Sequence, residues 1–287
     1  MQILITGALG QLGRAAVALA GARGWEVWPT DLAELDITRP EAVLAYLAGR
    51  RPAVVLNAAA ATRVDDLEAD PDLAVRVNAL GPRNLATACR RLGLKLIHLS
   101  TDYIFDGAKA GPYLEWDPPR PLSVYGQSKL LGEQWVREQC PDHFIVRTAW
   151  LYGIPGPNFV QAILARARSL SGAEELKVVH DQRGTPTSAE ALAVQVLALA
   201  ETEAFGTYHA ACHGEATWYE FARVILEHAG LAAKLVPCAT EAFPRPAPRP
   251  PNSVLENRML KIIGLDLMPD WQTAFSRFWQ HQGGEFL

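Results

Sequence analysis

Hydrophobic positions in the first half of the chain follow two alternating periods. Short, nearly continuous apolar runs predict strands at residues 2–6, 25–30, 53–58, 95–100 and 143–148. Between the runs, apolar residues recur every three to four positions, which predicts helices over residues 10–22, 41–49 and 72–92. Because the strands are apolar on both faces, this alternation predicts an α/β fold with a doubly wound parallel sheet.

The alternation loosens after Ala149. Helical spacing returns at residues 159–170, 189–199 and 217–229, with short strands at residues 176–179 and 207–210. The Pro-rich residues 243–251 form no regular element, and we interpret them as a rigid loop rather than a linker or a ligand for a proline-binding domain. We expect a sheet domain over residues 1–150 and a smaller C-terminal α/β portion over residues 151–287, with chain crossings between the two.

Composition removes several classes of function. The 287 residues include 27 Lys and Arg and 31 Asp and Glu, which give a net charge of −4. This charge does not indicate binding to nucleic acid or to an anionic membrane. No run of about 18 uncharged apolar residues predicts a membrane span, and no basic region precedes the first strand as in a signal peptide. The four cysteines are scattered, as free thiols in a reducing compartment would be, so we expect a soluble cytoplasmic protein.

A glycine-rich turn follows the first predicted strand. Gly7 permits a tight turn, Gly10 lets the backbone approach a pyrophosphate, and Gly13 lets the next helix pack close to the strand. The free N–H groups at the start of that helix attract an anion. The position between a strand and a helix predicts a dinucleotide site in a Rossmann-type fold, although the Gly-x-x-Gly-x-x-Gly spacing differs from that of the simplest dehydrogenases.

Three further segments fit the same site. Asp31 ends the second strand, where a carboxylate accepts hydrogen bonds from a ribose, although an acid there can also cap a turn. Asp36 and Ile37 lie in the next loop, where an adenine ring has room. The small residues after the third strand leave space for a cofactor or simply form a tight turn, and they are Ala58, Ala59 and Ala60.

A tyrosine and a lysine at helical spacing suggest proton-transfer chemistry. Tyr125 and Lys129 are four residues apart and share one face of a helix. A nearby ammonium is expected to lower the pKa of the phenol and to make it a general acid for a carbonyl undergoing reduction. Ser100 and Thr101 end the fourth strand, where either hydroxyl would meet the substrate oxygen or act as a structural cap.

Longer motifs make the chain similar to a known family. Together with the glycines and the Tyr-Lys pair, they resemble the extended short-chain dehydrogenase/reductase family, and most closely its branch that reduces dTDP-4-dehydrorhamnose. The resemblance spans nearly the whole chain. It is carried by STDYIFDG (residues 100–107), VYGQSKLLGE (124–133), RTAWLYG (147–153), DQRGTPT (181–187) and RPPNSVLEN (249–257).

The resemblance implies a reaction and a set of residues. It implies reduction of the C4 keto group of a dTDP-linked 4-keto-6-deoxy sugar by NADPH or NADH, with Thr101, Tyr125 and Lys129 as the catalytic residues. It places Asp102 and Trp150, besides Thr101, near the substrate. Its cofactor contacts are Gly10, Gln11, Leu12, Asp31, Asp36, Ile37, Ala58, Ala59, Ala60, Tyr125 and Lys129.

The residues themselves leave some roles open. Trp150 follows a buried strand, where its ring either stacks on a sugar or fills the core. Asn158, with Phe159 next to it, and Arg249 are candidates for the nucleotide side of the substrate, and an arginine there can pair bidentately with a pyrophosphate. A helix cap and a solvated charge are the structural alternatives for these two residues. Trp271 begins an aromatic stripe near the C-terminus that we expect to pack in the core.

Other functions stay open at this point. An epimerase or a dehydratase of nucleotide sugars belongs to the same superfamily, and a catalytically silent relative, such as the regulatory subunit of methionine adenosyltransferase, shares the expected fold. His209, Cys212 and His213 lack an acidic partner in the sequence, so we expect no metal site. A homodimer is a further expectation, although the sequence does not fix the oligomeric state.

Overall fold

A six-stranded parallel sheet dominates the computed structural model, which describes residues 1–171 and 174–286. Its strands are ordered β10-β5-β4-β3-β1-β2, and the remaining strands form two-stranded pairs. The strands are β1 (Gln2–Thr6), β2 (Glu26–Thr30), β3 (Val54–Asn57), β4 (Lys95–Thr101), β5 (His143–Thr148), β6 (Leu151–Tyr152), β7 (Glu175–Val179), β8 (Arg183–Gly184), β9 (Thr187–Ser188), β10 (Gly206–His209), β11 (Ala216–Thr217) and β12 (Lys234–Cys238).

Helices connect the strands and pack around the sheet. They are α1 (Gln11–Ala22), α2 (Pro40–Arg50), α3 (Val64–Leu67), α4 (Pro71–Val75), α5 (Gly81–Leu92), α6 (Val124–Gln139), α7 (Phe159–Ser169), α8 (Ala189–Ala200), α9 (Trp218–Ala229), α10 (Arg258–Ile262) and α11 (Trp271–Gln282). Short 3-10 turns lie at Asp102–Ile104, Thr240–Ala242 and Gly283–Phe286. The predicted α/β class with a parallel sheet is therefore confirmed.

One predicted helix differs from the structure. Instead of a single α-helix over residues 72–92, the chain forms α4, a π-helical turn at Arg76–Leu80 and then α5. Within the π turn, the Asn78 side chain accepts from the Ala61 N–H at 2.8 Å and donates to the Ala61 carbonyl at 3.0 Å. These two bonds hold the widened turn against the loop after β3, a tertiary contact that helical periodicity does not encode.

The sixth strand of the sheet comes from the second half of the chain. Strand β10, which lies beyond residue 150, pairs in parallel with β5. Helix α8, which precedes it, packs against α1. The chain therefore crosses back to the edge of the main sheet, and the division at residue 150 stays a prediction about how the chain partitions its roles.

The strand order fixes where a ligand crevice lies. Strand β1 pairs with β2 on one side and with β3 on the other, so the chain reverses its direction of progress at β1. In open parallel sheets, the crevice forms outside the carboxyl ends of strands at such a switch point. The glycine loop follows β1 and the three alanines follow β3, so the topology brings these two segments to one edge.

The interior is apolar on both sides of the sheet. Strand β3 is entirely buried, and so are Ile3, Leu4 and Ile5 of β1. In the second half, Phe275 and Phe278 of α11 pack with Phe221 in the same core cluster. The aromatic stripe near the C-terminus thus fills the core. Among the described residues, no helix is long and apolar enough to cross a membrane.

Candidate active site

The glycine loop after β1 allows very close backbone approach. Gly7 has a φ of +66°, and a Cβ there would lie 2.6 Å from the Ala59 nitrogen. A Cβ on Gly13 would lie 2.1 Å from the Gly7 carbonyl oxygen. Both contacts are shorter than any side chain tolerates, so glycine is required for the turn and for packing α1 against the loop.

Asp31 is joined to this loop by hydrogen bonds. Its Oδ2 accepts from the Leu9 N–H at 3.0 Å, and its Oδ1 accepts from the Leu32 N–H at 2.8 Å. These bonds fix the carboxylate at the rim of the crevice. Asp31 therefore organises the turn and also lines the crevice, and its contact with a ribose stays a prediction.

The loops after β1, β2 and β3 enclose a cavity of about 400 Å³. It brings together eight residues predicted to contact the cofactor, and it adds six that sequence reasoning did not single out. The predicted residues are Gly7, Gly10, Asp31, Asp36, Ile37, Ala58, Ala59 and Ala60. The additional residues are Thr6, Leu9, Leu32, Leu35, Thr38 and Val77. The glycine cradle and the small alanine wall fit a dinucleotide.

Gln11, Leu12, Gly13, Tyr125 and Lys129, which were also predicted to contact the cofactor, do not line this cavity. The Gln11 side chain donates to the Pro157 carbonyl at 3.4 Å and lines a second cavity of about 570 Å³ beside α1. Leu12 is buried in the core. A contact from Gln11 or Leu12 to the cofactor therefore depends on the N–H groups of the first turn of α1, whose N-cap, Gly10, has no side chain to occupy them.

Asp36 shapes the far end of the cavity. Its Oδ1 accepts from the Thr38 N–H at 2.9 Å and from the Thr38 hydroxyl at 2.7 Å. These hydrogen bonds lower the pKa of Asp36 below its ordinary value. Asp36 is therefore an ionised turn residue that sets the position of Ile37 beside it.

Helix α6 positions the tyrosine and the lysine. It begins after Ser123, whose hydroxyl accepts from the Gly126 N–H at 3.2 Å, and Glu68 accepts from the Val124 N–H at 2.8 Å. Lys129 is buried, and its ammonium donates to the Leu99 carbonyl of β4 at 2.5 Å. Together these contacts fix the helix that carries the two residues against the end of β4.

The pKa values of this pair follow from burial. Burial lowers the pKa of Lys129 to about 8, against an opposing effect from Glu133 one helical turn further along. Burial raises the pKa of Tyr125 to about 12, although the Thr101 hydroxyl lowers it. The expected lowering of the Tyr125 pKa by Lys129 is not seen: burial raises this pKa, and the Lys129 ammonium is directed at a backbone carbonyl instead. The phenol stays protonated at neutral pH, as a proton donor must be.

Thr101 and Asp102 lie next to the phenol. Thr101 donates to Asp102 Oδ1 at 2.9 Å and accepts from the Tyr103 N–H at 3.2 Å. Burial raises the pKa of Asp102 to about 6, although the hydroxyls of Ser253 and Thr101 beside it lower that pKa. The end of β4 thus supplies a hydroxyl and a buried carboxyl group close to Tyr125.

A larger cavity of about 640 Å³ begins at Tyr103. The ring of Tyr103 meets that of Tyr125 edge to face, with centroids 5.7 Å apart. The other walls of the cavity include the aromatic side chains of Phe159 and Trp218 and the cationic side chains of Lys177 and Arg245. Tyr125, the candidate proton donor, therefore lies one ring away from a cavity large enough for a nucleotide.

Trp150 reaches this cavity through a second tryptophan. Its indole stacks on Trp218 with a centroid distance of 3.4 Å, and its Nε1 donates to Ser253 at 3.1 Å. A Cβ on Gly184 would lie 2.2 Å from the Trp150 ring, so the glycine of the DQRGTPT motif is needed for this packing. Trp150 thus supports the cavity wall, while Trp218 lines it.

Two predicted nucleotide contacts have protein partners. Asn158 is the N-cap of α7, and its side chain also donates to the Gly153 carbonyl at 2.7 Å. The guanidinium of Arg249 is held bidentately by Asp65, at 2.5 and 2.9 Å. Both side chains therefore have structural roles, and the fork of Arg249 is already filled by a carboxylate.

Sequence reasoning missed several residues of the larger cavity. Asp65, Lys177, Trp218 and Arg245 line it, but none stands at a motif position that was assigned to the substrate. The only local signal was charge and aromaticity within otherwise ordinary segments. For metals, no group of three His, Cys, Asp or Glu side chains among residues 1–171 and 174–286 is placed to bind an ion.

The fold and this site define a Rossmann-type oxidoreductase of the short-chain dehydrogenase/reductase class. The particular family follows from comparison with known proteins. The family described as "RmlD substrate binding domain" matches residues 1–283, and the chain belongs to it. The resemblance carried by the sequence motifs is therefore confirmed.

Individual relatives agree over nearly the whole chain. A dTDP-4-dehydrorhamnose reductase of Streptomyces griseus is 43% identical over 280 residues, covering 95% of this chain and 91% of that protein. The crystal structure of a dTDP-4-dehydrorhamnose reductase from Clostridium acetobutylicum has a TM-score of 0.95 at 44% identity, covering 99% and 100% of the two chains. The Bacillus anthracis dTDP-4-dehydrorhamnose reductase, solved in complex with NADP, has a TM-score of 0.94 at 38% identity, covering 98% and 100%.

Proposed function

We propose that this protein reduces the C4 keto group of dTDP-4-dehydro-L-rhamnose to give dTDP-L-rhamnose, with NADPH or NADH as the reductant. The observation that carries the proposal is the protonated phenol of Tyr125, between Thr101 and the ring of Tyr103 that lines the larger cavity. The close relatives named as dTDP-4-dehydrorhamnose reductases support the choice of sugar nucleotide.

The proton comes from Tyr125 in this proposal. A phenol with a pKa of about 12 is fully protonated at neutral pH and donates only as negative charge develops on the sugar oxygen. Thr101 is placed beside the phenol to orient that oxygen. The buried carboxyl group of Asp102 next to it serves as an acceptor for a hydroxyl group of the sugar.

The cofactor site lies at the glycine loop. The reduced dinucleotide supplies the hydride when it is bound in the 400 Å³ cavity. Gly7, Gly10 and Gly13 leave room for its pyrophosphate, and Asp31 accepts hydrogen bonds from its ribose. Lys129, whose ammonium is buried beside β4, holds the nicotinamide ribose and compensates negative charge that forms on Tyr125.

The sugar nucleotide occupies the 640 Å³ cavity in this proposal. The rings of Phe159 and Trp218 offer flat apolar faces to the base and sugar. Arg245, with a side chain 61% exposed and 3.9 Å from Asp65, is freer to meet a diphosphate than the tightly paired Arg249. Asn158 caps the helix that begins with Phe159, and Trp150 stacks on Trp218, so both residues support the wall of this cavity.

The second residue after β4, Tyr103, separates reduction from dehydration. Sugar-nucleotide dehydratases of this superfamily carry Glu where this chain has Tyr103. Burial, followed by the charge of Asp102, raises the pKa of Tyr103 above that of an ordinary tyrosine. A phenol that holds its proton so strongly is no base at neutral pH, and this favours a reductase.

We expect one reduced nicotinamide to be consumed for each sugar converted. The test is to supply dTDP-4-dehydro-L-rhamnose with NADPH or NADH, follow the loss of absorbance of the reduced cofactor, and identify the product. The control substrate is dTDP-glucose, which should give no 4-keto-6-deoxy product. Turnover of dTDP-glucose without net loss of cofactor would establish the dehydratase instead, and no turnover of any sugar would favour a silent relative.

Asp31 should influence the choice between the two cofactors. Its carboxylate lies at the cavity rim and would repel a 2′-phosphate, so both cofactors are expected to work but NADPH at a disadvantage. Asp31→Asn keeps one acceptor for the Leu9 or Leu32 N–H and removes the charge. We expect it to raise the ratio of kcat/KM for NADPH to that for NADH by about tenfold.

The matched control for this change is Asp36→Asn. Asp36 lines the same cavity but directs its carboxylate at Thr38, so its replacement should move the cofactor ratio much less. If both variants leave the ratio unchanged, Asp31 does not face the 2′ position.

Homodimer formation and a cytoplasmic location complete the proposal. Sedimentation of the purified protein would test the first, and fractionation of cells would test the second.

A further inference from the structure

An ion pair joins the two halves of the chain at the larger cavity. Arg249 donates to Asp65 at 2.5 and 2.9 Å, and Asp65 also accepts from the Ala247 N–H at 3.2 Å. The side chains are only 20% and 26% exposed. Hydrogen bonds from Arg249 are the main reason that the pKa of Asp65 is lowered, so the carboxylate is charged and the pair persists at neutral pH.

The same guanidinium lies against Tyr103. The Arg249 cation lowers the pKa of the Tyr103 phenol, against the larger opposing effect of burial, which shows that the two groups are close. Tyr103 in turn meets Tyr125 edge to face. A continuous row of contacts therefore runs from Asp65 through Arg249 and Tyr103 to the proposed proton donor.

The pair also closes the Pro-rich segment, residues 243–251, over the cavity. The segment is anchored at its far end, where Pro251 packs on Gly107 and its carbonyl accepts from the Arg183 N–H at 2.9 Å. Its middle, which supplies Arg245, Ala247, Pro248 and Arg249 to the cavity wall, is tied to the first half of the chain through Asp65.

We infer that Asp65 and Arg249 are positioning residues whose ion pair holds segment 243–251 over the substrate cavity and keeps Tyr103 against Tyr125. Arg249 thus acts on the sugar nucleotide through the shape of the cavity and not as a direct ligand of its diphosphate. The kinetic part of this inference rests on the proposed function, whereas its structural part does not.

The two roles for Arg249 differ in what Asp65→Ala does. If Arg249 positions the segment, Asp65→Ala and Arg249→Ala each raise KM for dTDP-4-dehydro-L-rhamnose at least about tenfold, with KM for NADPH unchanged. The KM of the double variant is then no higher than that of the more impaired single variant, because the pair acts as a unit. If Arg249 binds the diphosphate directly, Asp65→Ala frees the cation, so KM stays the same or falls, and that result overturns the inference.

Amide hydrogen exchange tests the same pair without turnover. We expect the peptide that contains Ala247 to exchange faster in Asp65→Ala than in the wild type, both measured with NADPH bound and no sugar present. Unchanged exchange would overturn the inference, even if the enzyme reduces the proposed sugar. Faster exchange in a protein that turns over no sugar would uphold the closure and refute only the proposed substrate.

Two further variants keep the test sharp. Asp65→Asn keeps one acceptor oxygen and serves where Asp65→Ala does not fold, and Asp65→Glu should recover part of the lost affinity because it restores the charge. Arg223→Ala removes an exposed ion pair with Glu227 on α9, with side chains 52% and 56% exposed, and should change neither KM nor exchange. A purely structural role would instead lower the affinity for NADPH in Asp65→Ala and Arg249→Ala alike, and that too would overturn the inference.

Discussion

Replacing Tyr125 by phenylalanine should lower kcat by about 10²–10⁴-fold, the usual contribution of a positioned general acid. Phenylalanine keeps the ring that packs edge to face on Tyr103, so the wall of the cavity survives. It removes the hydroxyl that burial keeps protonated beside Thr101. Cofactor affinity should change little, because the glycine loop and Asp31 are untouched. Single-turnover reduction of the sugar, with separate titration of NADPH, measures both quantities.

Tyr46→Phe is the matched control for that experiment. Tyr46 lies on α2, where the guanidinium carbon of Arg50 is 3.5 Å from the centroid of its ring. It lines neither the 400 Å³ cavity nor the 640 Å³ cavity. Its replacement removes the same phenol oxygen and should leave kcat unchanged. If Tyr125→Phe retained more than half of the wild-type kcat, the proton would come from another group, and Asp102 would be the next candidate.

The parts of the fold that could be predicted are those encoded locally. Strands β1 and β5 were predicted with the bounds that the structure has, since an apolar run between turn residues needs no partner to be recognised. The place of β10 was different. Its sequence predicted a strand, but the hydrophobic pattern does not indicate that this strand joins β5 in the main sheet, where the preceding helix α8 packs on α1.

The candidate site divides in the same way. Gly7, Asp31 and Thr101 could be predicted because each stands at the carboxyl end of a strand, and the order of parallel strands brings those ends together. The partner of Arg249 could not be predicted, because Asp65 lies 184 residues away and neither segment shows periodicity that indicates the pairing. The same holds for the stacking of Trp150 on Trp218, which depends on the close approach of Gly184.

The pKa values and the buried ion pair of the site were the least predictable features. The spacing of Tyr125 and Lys129 correctly puts both on α6, but spacing cannot report how deeply they are buried. Burial moves the pKa of the phenol up and that of the ammonium down, opposite to a simple pairing of the two groups. It also makes Glu133 and Arg147, which stand unremarked inside recognised motifs, a buried ion pair behind the site.

Glu133→Ala should lower the free energy of unfolding by about 3–5 kcal/mol, the usual cost of leaving one member of a buried ion pair alone. Arg147 donates from Nε and Nη2 to the two carboxylate oxygens at 2.9 and 2.7 Å, and the side chains are 4% and 0% exposed. The His209 ring beside Arg147 cannot replace the lost carboxylate, because an imidazole carries no negative charge; burial and this cation lower its pKa to about 3 and keep it neutral. Lys129 would also lose the negative charge of Glu133, which raises its pKa against the effect of burial. Urea or thermal unfolding, followed by circular dichroism, measures the change.

The double variant Glu133→Leu with Arg147→Met shows whether the loss comes from the unpaired charge. Removing both charges leaves no buried cation at Arg147, so the double variant should be more stable than Glu133→Ala alone. Glu227→Ala, which breaks the exposed pair with Arg223 on α9, should change stability by less than about 1 kcal/mol. If Glu133→Ala were as mild as Glu227→Ala, water would have to reach Arg147. In that case α6, which carries Tyr125 and Lys129, would be held against β5 by apolar packing and not by this pair.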